Sequence, residues 1–373
     1  MQSDNKLAVK KVVVNLLWCV PGQVGGSEEY LVRQLLGLAE QPNQRWKLTA
    51  AVARGFRAAH PELAPVAHVV EPSFDSRSRI RRILGEATWL RRTSADAALV
   101  HHGGGTAPLR ARRPYVLTVH DLQFRAYPHY FSRAKRAYLG TIIPRSVRSA
   151  AVVTVPSAYV RDSVIAAYDA APERVMVVPH GIEPALMSEL TPPDELRDRY
   201  GLGSGPIIVY PAITHPHKNH RFLLALMRER WTDPDLRLVL PGGVGSAEDT
   251  ITESNDRRVL RLGRVSAADR NGLLAMADAM VFPSEYEGFG APLIEAMALG
   301  APVVCSDATC MPGIVDNAGL VLPLELDAWA GALDEVRRRR TELVAAGKRR
   351  ALAFTSFASG AALAAAYDQA VRT

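Results

Sequence analysis

One stretch of the chain, residues 281–307 (VFPSEYEGFGAPLIEAMALGAPVVCSD), allows few folds. It opens with an apolar run typical of a buried strand, turns at the glycines of 288–290, and has the composition of a helix over 291–299. Pro292 lies in the first turn of that helix, where its missing N–H costs least, and Gly300 is a typical helix end. A second apolar run follows. Strand, glycine turn, helix and strand in this order form the unit of parallel α/β sheets.

Two carboxylates lie on either side of the glycine turn. Glu287 precedes it, and Glu295 lies inside the apolar helix, where an unpaired buried charge is costly. Two hydroxyls of a ribose or hexose would satisfy such a carboxylate, and the free N–H groups of the helix start suit phosphate. The pattern predicts a segment that holds the sugars and diphosphate of a nucleotide-sugar. The alternative is a loop acid at Glu287 and a solvated helix residue at Glu295.

Three further segments carry functional residue types where α/β sheets bind ligands, beyond the carboxyl ends of strands. His120 follows a predicted strand at 115–119. Lys218 lies between a predicted strand at 207–210 and a helix, where an ammonium can meet a phosphate. The glycines of 21–26 (PGQVGG) permit close approach of a phosphate. Each also has an ordinary interpretation, as a structural histidine, a surface lysine or a plain turn.

Two segments contain residue types that bind metals. His101-His102 precedes three glycines, and no third ligand follows at zinc-like spacing. Asp233-Pro234-Asp235 is a good turn sequence. We expect a strand-end loop at the first segment, a turn at the second, and no metal site.

Composition limits the classes of partner and compartment. The 373 residues suggest two domains, and the 48% hydrophobic content is enough for two cores. A net charge of +7 favours anionic partners, such as nucleotide-sugars or phospholipid surfaces, and no nucleic-acid-binding signature is present. The three cysteines form no C-x-x-C pair, which is typical of a reducing compartment. No apolar run is long enough to span a membrane, and the short run at 12–20 is read as a strand rather than a signal peptide.

Residues 77–92 (RSRIRRILGEATWLRR) predict a basic amphipathic helix. Its apolar stripe consists of Ile80, Ile83, Leu84, Ala87 and Leu90, and positive charge is supplied by Arg77, Arg81, Arg82, Arg91 and Arg92. One interpretation is a surface helix that packs on the sheet by this stripe. The other is contact with an anionic membrane, and both hold if one face packs while the arginines reach lipid.

The stretch 281–307 closely resembles the E-x7-E signature of glycosyltransferase family 4, the retaining transferases of GT-B fold. The resemblance covers essentially the whole chain. It implies an α/β fold with two Rossmann-like domains that face a central cleft. Residues 1–184 would form the acceptor domain and 185–353 the nucleotide-sugar domain. Residues 354–373 would form a C-terminal helix that crosses back to the first domain.

The same resemblance implies roles for individual residues. Glu287 would hold the donor hexose, Glu295 the ribose, Lys218 the leaving diphosphate, and His120 the hexose from the first domain. His120, Lys218 and Glu287 would be catalytic, and the implied donor-binding residues are Gly25, Gly26, Arg264, Gly288, Phe289, Gly290 and Glu295. The chain departs from the family at Ala212, where an arginine ordinarily assists the lysine. Arg264 is the candidate replacement.

The implied function is transfer of a hexose from a nucleotide diphosphate sugar to an acceptor hydroxyl, with retention of configuration. The string PHKNH at 216–220 resembles a mannosyltransferase-like branch, so GDP-mannose is the favoured donor and a UDP-hexose the next. No cofactor or metal is expected. The acceptor would be a glycan or a lipid-linked sugar, and the protein cytoplasmic, with peripheral attachment to the inner face of the plasma membrane as an option. Alternatives are a GT-B nucleotide-sugar epimerase and a non-catalytic sugar-nucleotide-binding homologue.

Overall fold

The computed structural model describes residues 9–42, 44–112, 114–182 and 184–372. The chain folds into two compact units. Unit 1 comprises Met1–Gly181 and Thr355–Thr373, and unit 2 comprises Ile182–Phe354. In the sequence-based prediction the second domain runs over 185–353.

Unit 1 is built on a sheet of seven parallel strands within the described residues. In chain order they are β1 (Lys10–Leu16), β2 (Trp46–Val52), β3 (Ala67–Val70), β4 (Leu99–His102), β5 (Tyr115–Thr118), β6 (Val152–Val155) and β7 (Val175–Val177). Successive residues such as Val12, Val13 and Val14 are fully buried, because helices cover both faces of a parallel sheet. The spatial order is β3-β2-β1-β4-β5-β6-β7. It reverses between β1 and β4, which makes the loops after these strands a topological switch point.

The helices of unit 1 before the crossing to unit 2 cover both faces of this sheet. They are α1 (Gly26–Ala39), α2 (Phe56–Ala59), α3 (Arg79–Ala87), α4 (Trp89–Thr93), α5 (Gln123–Ala126), α6 (Arg133–Ser149) and α7 (Ala158–Tyr168). The 17-residue α6 has no counterpart in the sequence-based prediction. Its apolar periodicity is weak, since only Ile143, Ser146 and Val147 are buried, and Pro144 lies inside it. Among the residues that the structure describes, no helix combines the length and hydropathy needed to cross a bilayer.

Unit 2 contains a second parallel sheet, with six strands among the described residues. The strands are β8 (Ile207–Val209), β9 (Arg237–Pro241), β10 (Val259–Gly263), β11 (Ala279–Phe282), β12 (Val303–Ser306) and β13 (Leu320–Leu322). Their spatial order is β10-β9-β8-β11-β12-β13, so the reversal here lies between β8 and β11. The helices are α8 (Pro193–Tyr200), α9 (His220–Glu229), α10 (Asp249–Thr252), α11 (Ala267–Met276), α12 (Ala291–Leu299), α13 (Met311–Val315), α14 (Leu326–Ala330), α15 (Ala332–Arg338) and α16 (Arg340–Ala351).

The C-terminal helix α17 (Ser356–Ala370) packs against α1 of unit 1. The two backbones touch, because a Cβ placed on Gly360 would lie 2.0 Å from the carbonyl carbon of Gly37. The buried Tyr367 hydroxyl lies 2.8 Å from Nδ1 of His101 at the end of β4. The prediction that the last helix returns to the first domain is therefore confirmed.

The predicted helix over 77–92 is broken in the structure. The segment 77–92 forms α3 and α4, and Thr88 between them leaves helical geometry with φ −117° and ψ −68°. In unit 2, α14, α15 and α16 likewise follow one another with breaks at Gly331 and Arg339. Most helical stability in proteins comes from tertiary packing rather than from local propensity, so a helix-favouring composition does not guarantee one continuous helix.

Candidate functional site

The switch point of unit 2 brings two predicted site residues together. Lys218 lies in the loop after β8, and Glu287 lies in the loop after the neighbouring strand β11. Nζ of Lys218 is 2.5 Å from Oε1 of Glu287, and the two side chains are only 18% and 12% exposed. The ammonium also lies 5.5 Å from the centre of the Phe282 ring. The pair is thus an almost buried ion pair at the edge of the sheet where α/β proteins bind ligands.

A buried tyrosine fixes the two loops that carry this ion pair. The Tyr210 hydroxyl donates to the carbonyl oxygen of Lys218 at 2.8 Å and lies 3.0 Å from the hydroxyl of Ser284. Both Tyr210 and Ser284 are fully buried. Asn219 then adopts a left-handed conformation, with φ 54°, and starts α9. Because one hydroxyl ties both loops, the positions of the lysine and the glutamate are mechanically coupled.

Contacts on the other side of the β11 loop hold Glu287 in place. Its N–H donates to Oγ1 of Thr309 at 3.1 Å, and the Cys310 thiol donates to its carbonyl oxygen at 3.3 Å. Burial, with a further contribution from the Glu287 carboxylate, raises the pKa of the Cys310 thiol, so it remains protonated and able to donate. These two hydrogen bonds fix the main chain of Glu287 and so restrict where its carboxylate can lie.

Glu295 is buried in α12, which excludes the solvated alternative. It is 5% exposed, and Nη2 of Arg270 lies 3.8 Å from its Oε2. Gly290, with φ 83°, adopts the left-handed conformation that starts the helix. Phe289 is buried, and its ring packs edge-on against that of Phe354, with the ring centres 5.6 Å apart. This contact fixes the glycine loop to the core of unit 2. The predicted glycine turn and helix start are present as the sequence indicates.

The region of the missing family arginine is closely packed. Ala212 is 8% exposed, and a Cβ on Gly242 would lie 2.1 Å from its carbonyl oxygen. Arg264 follows β10 and lies over Gly243, where a Cβ would be 3.2 Å from its Nε. Arg261 instead braces this glycine loop by donating to the carbonyl oxygens of Gly242 and Gly243 at 2.8 and 3.1 Å. The candidate replacement thus lies at the carboxyl edge of the same sheet as Lys218.

Two histidines beside Lys218 are site residues that sequence reasoning missed. The rings of His215 and His217 stack with their centres 5.8 Å apart. Burial, followed by the charge of Lys218, lowers the pKa of His217 to about 3, so its ring is neutral. The only signal in the sequence was their position on either side of Pro216 before the lysine, which has no recognised function by itself.

His120 lies two residues beyond β5 in unit 1. Its Nε2–H donates to the carbonyl oxygen of Gly103 at 2.7 Å, which leaves Nδ1 with its lone pair. Burial lowers the pKa of His120 to about 4. The ring packs between Trp18 and Tyr30, each with its centre 5.6 Å away. His120 is therefore a neutral, fixed imidazole that offers one acceptor to a ligand hydroxyl.

A cavity of ≈ 500 Å³ adjoins this histidine and is called the unit 1 cavity. Its walls include Trp18, Val24 and Ser27 from the region after β1, together with residues of α3 and α6. Gly25 and Gly26 lie between two of these wall residues at the start of α1. A Cβ on either glycine would meet no atom within 4 Å, and Gly25 has φ 63°. The glycine loop is thus open on its outer side, as a ligand-binding loop requires.

The helix α3 packs against the rest of unit 1 with its polar side. Gly85 is buried against the Phe74 ring, and a Cβ there would lie 2.0 Å from Cζ of Phe74. Ile80, Ile83 and Leu84 point outward, with exposed fractions of 73%, 40% and 59%. The interpretation that this stripe packs on the sheet is therefore wrong for these three residues. Because Gly85 has no side chain, the Phe74 ring packs closely on it, and the face of α3 that carries Gly85, rather than the apolar stripe, lies against the rest of unit 1.

The segments with metal-ligating residue types have structural partners. His101 lies within 2.8 Å of the Tyr367 hydroxyl and 2.7 Å of Oγ1 of Thr118, in the core of unit 1. The N–H of Asp235 donates to Oδ1 of Asp233 at 2.9 Å, which closes the predicted turn. Within the described part of the chain, no group of three histidine, cysteine or acidic residues has metal-site geometry.

Comparison with known proteins agrees with this geometry. The family model for Glycosyltransferase Family 4 matches residues 24–186, and that for Glycosyl transferases group 1 matches 205–351. O-antigen chain mannosyltransferase B of Escherichia coli is 30% identical over 242 residues, which are 61% of this chain and 62% of that protein. MMP alpha-(1->4)-mannosyltransferase of Mycolicibacterium hassiacum is 32% identical over 232 residues, or 59% of this chain and 54% of that one. The matched regions thus span less than two thirds of each relative.

Solved structures support the same fold. Anabaena Alr3699/HepE, crystallised in complex with UDP and glucose, superposes with a TM-score of 0.76. The superposition covers 96% of this chain and 99% of that chain, at 18% sequence identity. The two family models between them include β2 to β7 of the first sheet and all six strands of the second. The chain is accordingly a member of the family 4 and group 1 glycosyltransferases, with the GT-B fold.

Proposed function

We propose that the protein transfers a hexose, with mannose favoured, from a nucleotide diphosphate sugar to an acceptor hydroxyl in glycan biosynthesis. The observation that carries this proposal is the Lys218–Glu287 ion pair at the switch point of unit 2. It presents a cation suited to a diphosphate beside a carboxylate suited to sugar hydroxyls. Similarity to mannosyltransferases of two bacteria supports the choice of sugar.

Charge stabilisation at the leaving diphosphate is the main catalytic term in this proposal. Lys218 supplies an ammonium, and Arg264 supplies a guanidinium at the same sheet edge. The start of α12 adds N–H groups beyond Gly290. A single preorganised donor of this kind contributes roughly 10²–10³ in rate. When the diphosphate arrives, the ammonium would leave Glu287 for phosphate, and the freed carboxylate would accept hydrogen bonds from the hexose.

The remaining residues position the donor and acceptor. Glu295 would accept from the ribose hydroxyls while Arg270 balances its charge. The neutral His120 would accept a hydroxyl hydrogen at Nδ1. Transfer would occur with retention, the donor phosphate taking the acceptor proton, while Glu287, released by Lys218, is engaged by the hexose hydroxyls.

A peripheral membrane location is also part of the proposal. The face of α3 that points away from the rest of unit 1 carries three exposed apolar side chains, Arg81 of the same helix is exposed, and the exposed Arg77 lies just before it. Apolar residues flanked by arginines suit the interface of an anionic bilayer, where each cation contributes about 1 kcal/mol. Such contact would bring unit 1 to a lipid-linked acceptor.

The experiment that tests the donor assignment is a thermal-shift panel of GDP, UDP, GDP-mannose and UDP-glucose, followed by turnover with the ligand that stabilises most. A ligand at 100 times its Kd adds about 2.7 kcal/mol of stability. We expect GDP and GDP-mannose to give the largest shifts. Stabilisation by neither nucleotide family would contradict the proposal as a whole, whereas stabilisation by UDP alone would replace mannose with another hexose.

A further inference from the structure

We infer that the unit 1 cavity recognises an acceptor that carries an anionic group, a phosphate or a carboxylate, through Arg79, Arg82 and Lys135. This inference rests on the proposed function and names the class of its acceptor. The three cations come from α3 and α6 and line one cavity of ≈ 500 Å³. An acceptor with this chemistry is either a soluble acidic or phosphorylated sugar, or a sugar phosphate carried on a lipid.

The first argument is that these charges have no ion-pair partner in direct contact. Among the described residues, none of the three cations has a carboxylate oxygen within 4 Å, whereas Arg199, Arg258 and Arg261 of unit 2 are all paired with acids. The cavity also contains Glu86, whose carboxyl interacts with the Arg82 charge at longer range, but burial outweighs that charge and the Asn15 hydrogen bond and raises the pKa of this carboxyl. A pocket with three unpaired cations is electrostatically prepared for an anion.

The second argument is that aromatic rings orient two of the cations. The Arg79 guanidinium carbon lies 3.9 Å from the centre of the Tyr138 ring, and Nζ of Lys135 lies 4.8 Å from that of Phe131. Both rings belong to the cavity wall. Stacking restricts the long side chains before any ligand arrives, which lowers the entropy that binding must overcome.

The third argument is a set of polar atoms in the same wall that suits sugar hydroxyls. Nδ2 of Asn15 lies 3.3 Å from Oε1 of Glu86, so that carboxyl is held in place while its other oxygen accepts or donates. The indole N–H of Trp18, another wall residue, is buried and has no acceptor among the described residues. Aromatic surface, a fixed carboxyl group and unpaired cations together match a sugar that bears an acidic substituent.

The test is calorimetric binding of mannose 6-phosphate, glucuronic acid and mannose to the full chain, with a saturating nucleoside diphosphate to occupy unit 2. Because charge-assisted hydrogen bonds exceed neutral ones, we expect the two acidic sugars to bind about tenfold more tightly than mannose at low salt. Arg82→Gln and Lys135→Gln should each remove most of this preference. Arg91→Gln, an exposed arginine outside the cavity, is the matched control and should preserve it.

Lack of preference among free sugars that do bind, an equal loss in Arg91→Gln, or lack of binding both by all three sugars and by the lipid-phosphate vesicles described below would overturn the inference. Nucleoside diphosphate binding is titrated separately, so failure of the proposed function is distinguishable from failure of the acceptor assignment. A second arm uses undecaprenyl phosphate in phosphatidylcholine vesicles against vesicles of phosphatidylcholine alone. Arg82-dependent binding in that arm identifies a lipid-borne phosphate, and Arg82-dependent binding of the free sugars alone identifies a soluble acceptor.

Discussion

Lys218 and Glu287 are joined by an ion pair of 2.5 Å, although 69 positions separate them in the sequence. The resemblance to family 4 assigns these residues to different parts of the donor, the diphosphate and the hexose. In the structure each is the other's counter-ion. In the proposed function their roles are therefore linked, because a donor that binds the lysine would also release the glutamate.

Lys218→Ala should lower kcat roughly 10²-fold or more, because the leaving diphosphate loses its ammonium. The measurement is steady-state turnover with a donor identified by the nucleotide panel. Lys47→Ala, which removes an exposed lysine of β2, is the control and should leave kcat unchanged. Activity of Lys218→Ala within about threefold of the wild type would remove the lysine from the mechanism.

The ion pair also predicts non-additive stability effects. Lys218→Ala leaves Glu287 almost buried without its cation, and Glu287→Ala does the same to the ammonium. The double variant has neither orphan charge, so its loss of stability should be smaller than the sum of the single losses by about 0.5–3 kcal/mol. Urea unfolding of the three variants measures this coupling. Strictly additive losses would mean that the pair does not persist in solution.

Glu295→Ala should weaken binding of the free nucleoside diphosphate, since the lost contact is to ribose. Hydrogen bonds to a charged group contribute about 1.5–3 kcal/mol. Glu287→Ala should instead weaken binding of the intact donor more than binding of the nucleotide alone. Calorimetry with both ligands tests the assignment. Equal losses for both variants on both ligands would overturn this division of roles.

The exposed face of α3 predicts attachment to anionic vesicles that disappears at high salt. Arg77→Glu with Arg81→Glu should abolish co-sedimentation, and Ile80→Ser with Leu84→Ser should weaken it, without unfolding the protein. Neither pair lines the unit 1 cavity. The control pair is Arg337→Glu with Arg338→Glu on α15, which makes the same change of charge in unit 2. If wild-type protein ignores anionic vesicles at low salt, the membrane proposal is wrong.

A histidine beside the PGQVGG loop predicts a pH-dependent contribution to stability. Burial lowers the pKa of His60, but hydrogen bonds of 2.8 Å to Glu28 and Glu62 outweigh burial and raise it above 6.5. Because the folded-state pKa is the higher one, the stabilisation is complete below pH 6.5 and is lost as the pH rises through the folded-state value. Glu28 also accepts the N–H of Gly22 in that loop at 2.9 Å.

The measurement is the difference in unfolding free energy between the wild type and His60→Gln. It should be larger at pH 5.5 than at pH 9. Other titrating groups, including the neutral buried His120, affect both proteins alike and cancel in the difference. A difference that grows towards alkaline pH would show that the histidine is neutral in the folded protein.

Local sequence determined the parts of this protein that depend on neighbouring residues. The stretch 281–307 contains strand, glycine turn, helix and strand formers in order, and the structure follows them because Gly290 and Gly300 adopt the left-handed conformations that start and end α12. The burial of Glu295 also follows locally, since its neighbours on the helix are apolar. The family was recognisable from this stretch because its residues resemble the E-x7-E signature.

Tertiary structure alone decided which distant side chains meet. The ion pair of Lys218 with Glu287 exists because β8 and β11 are neighbours at the switch point. The sequence of neither loop indicates that these two strands are adjacent. The local sequence of α3 likewise does not determine which of its faces packs against the rest of unit 1. Its apolar stripe predicts burial, but the ring of Phe74 packs on Gly85, where a side chain would clash, and Ile80, Ile83 and Leu84 face outward. Packing complementarity between residues far apart in the chain, rather than helix periodicity, set that face.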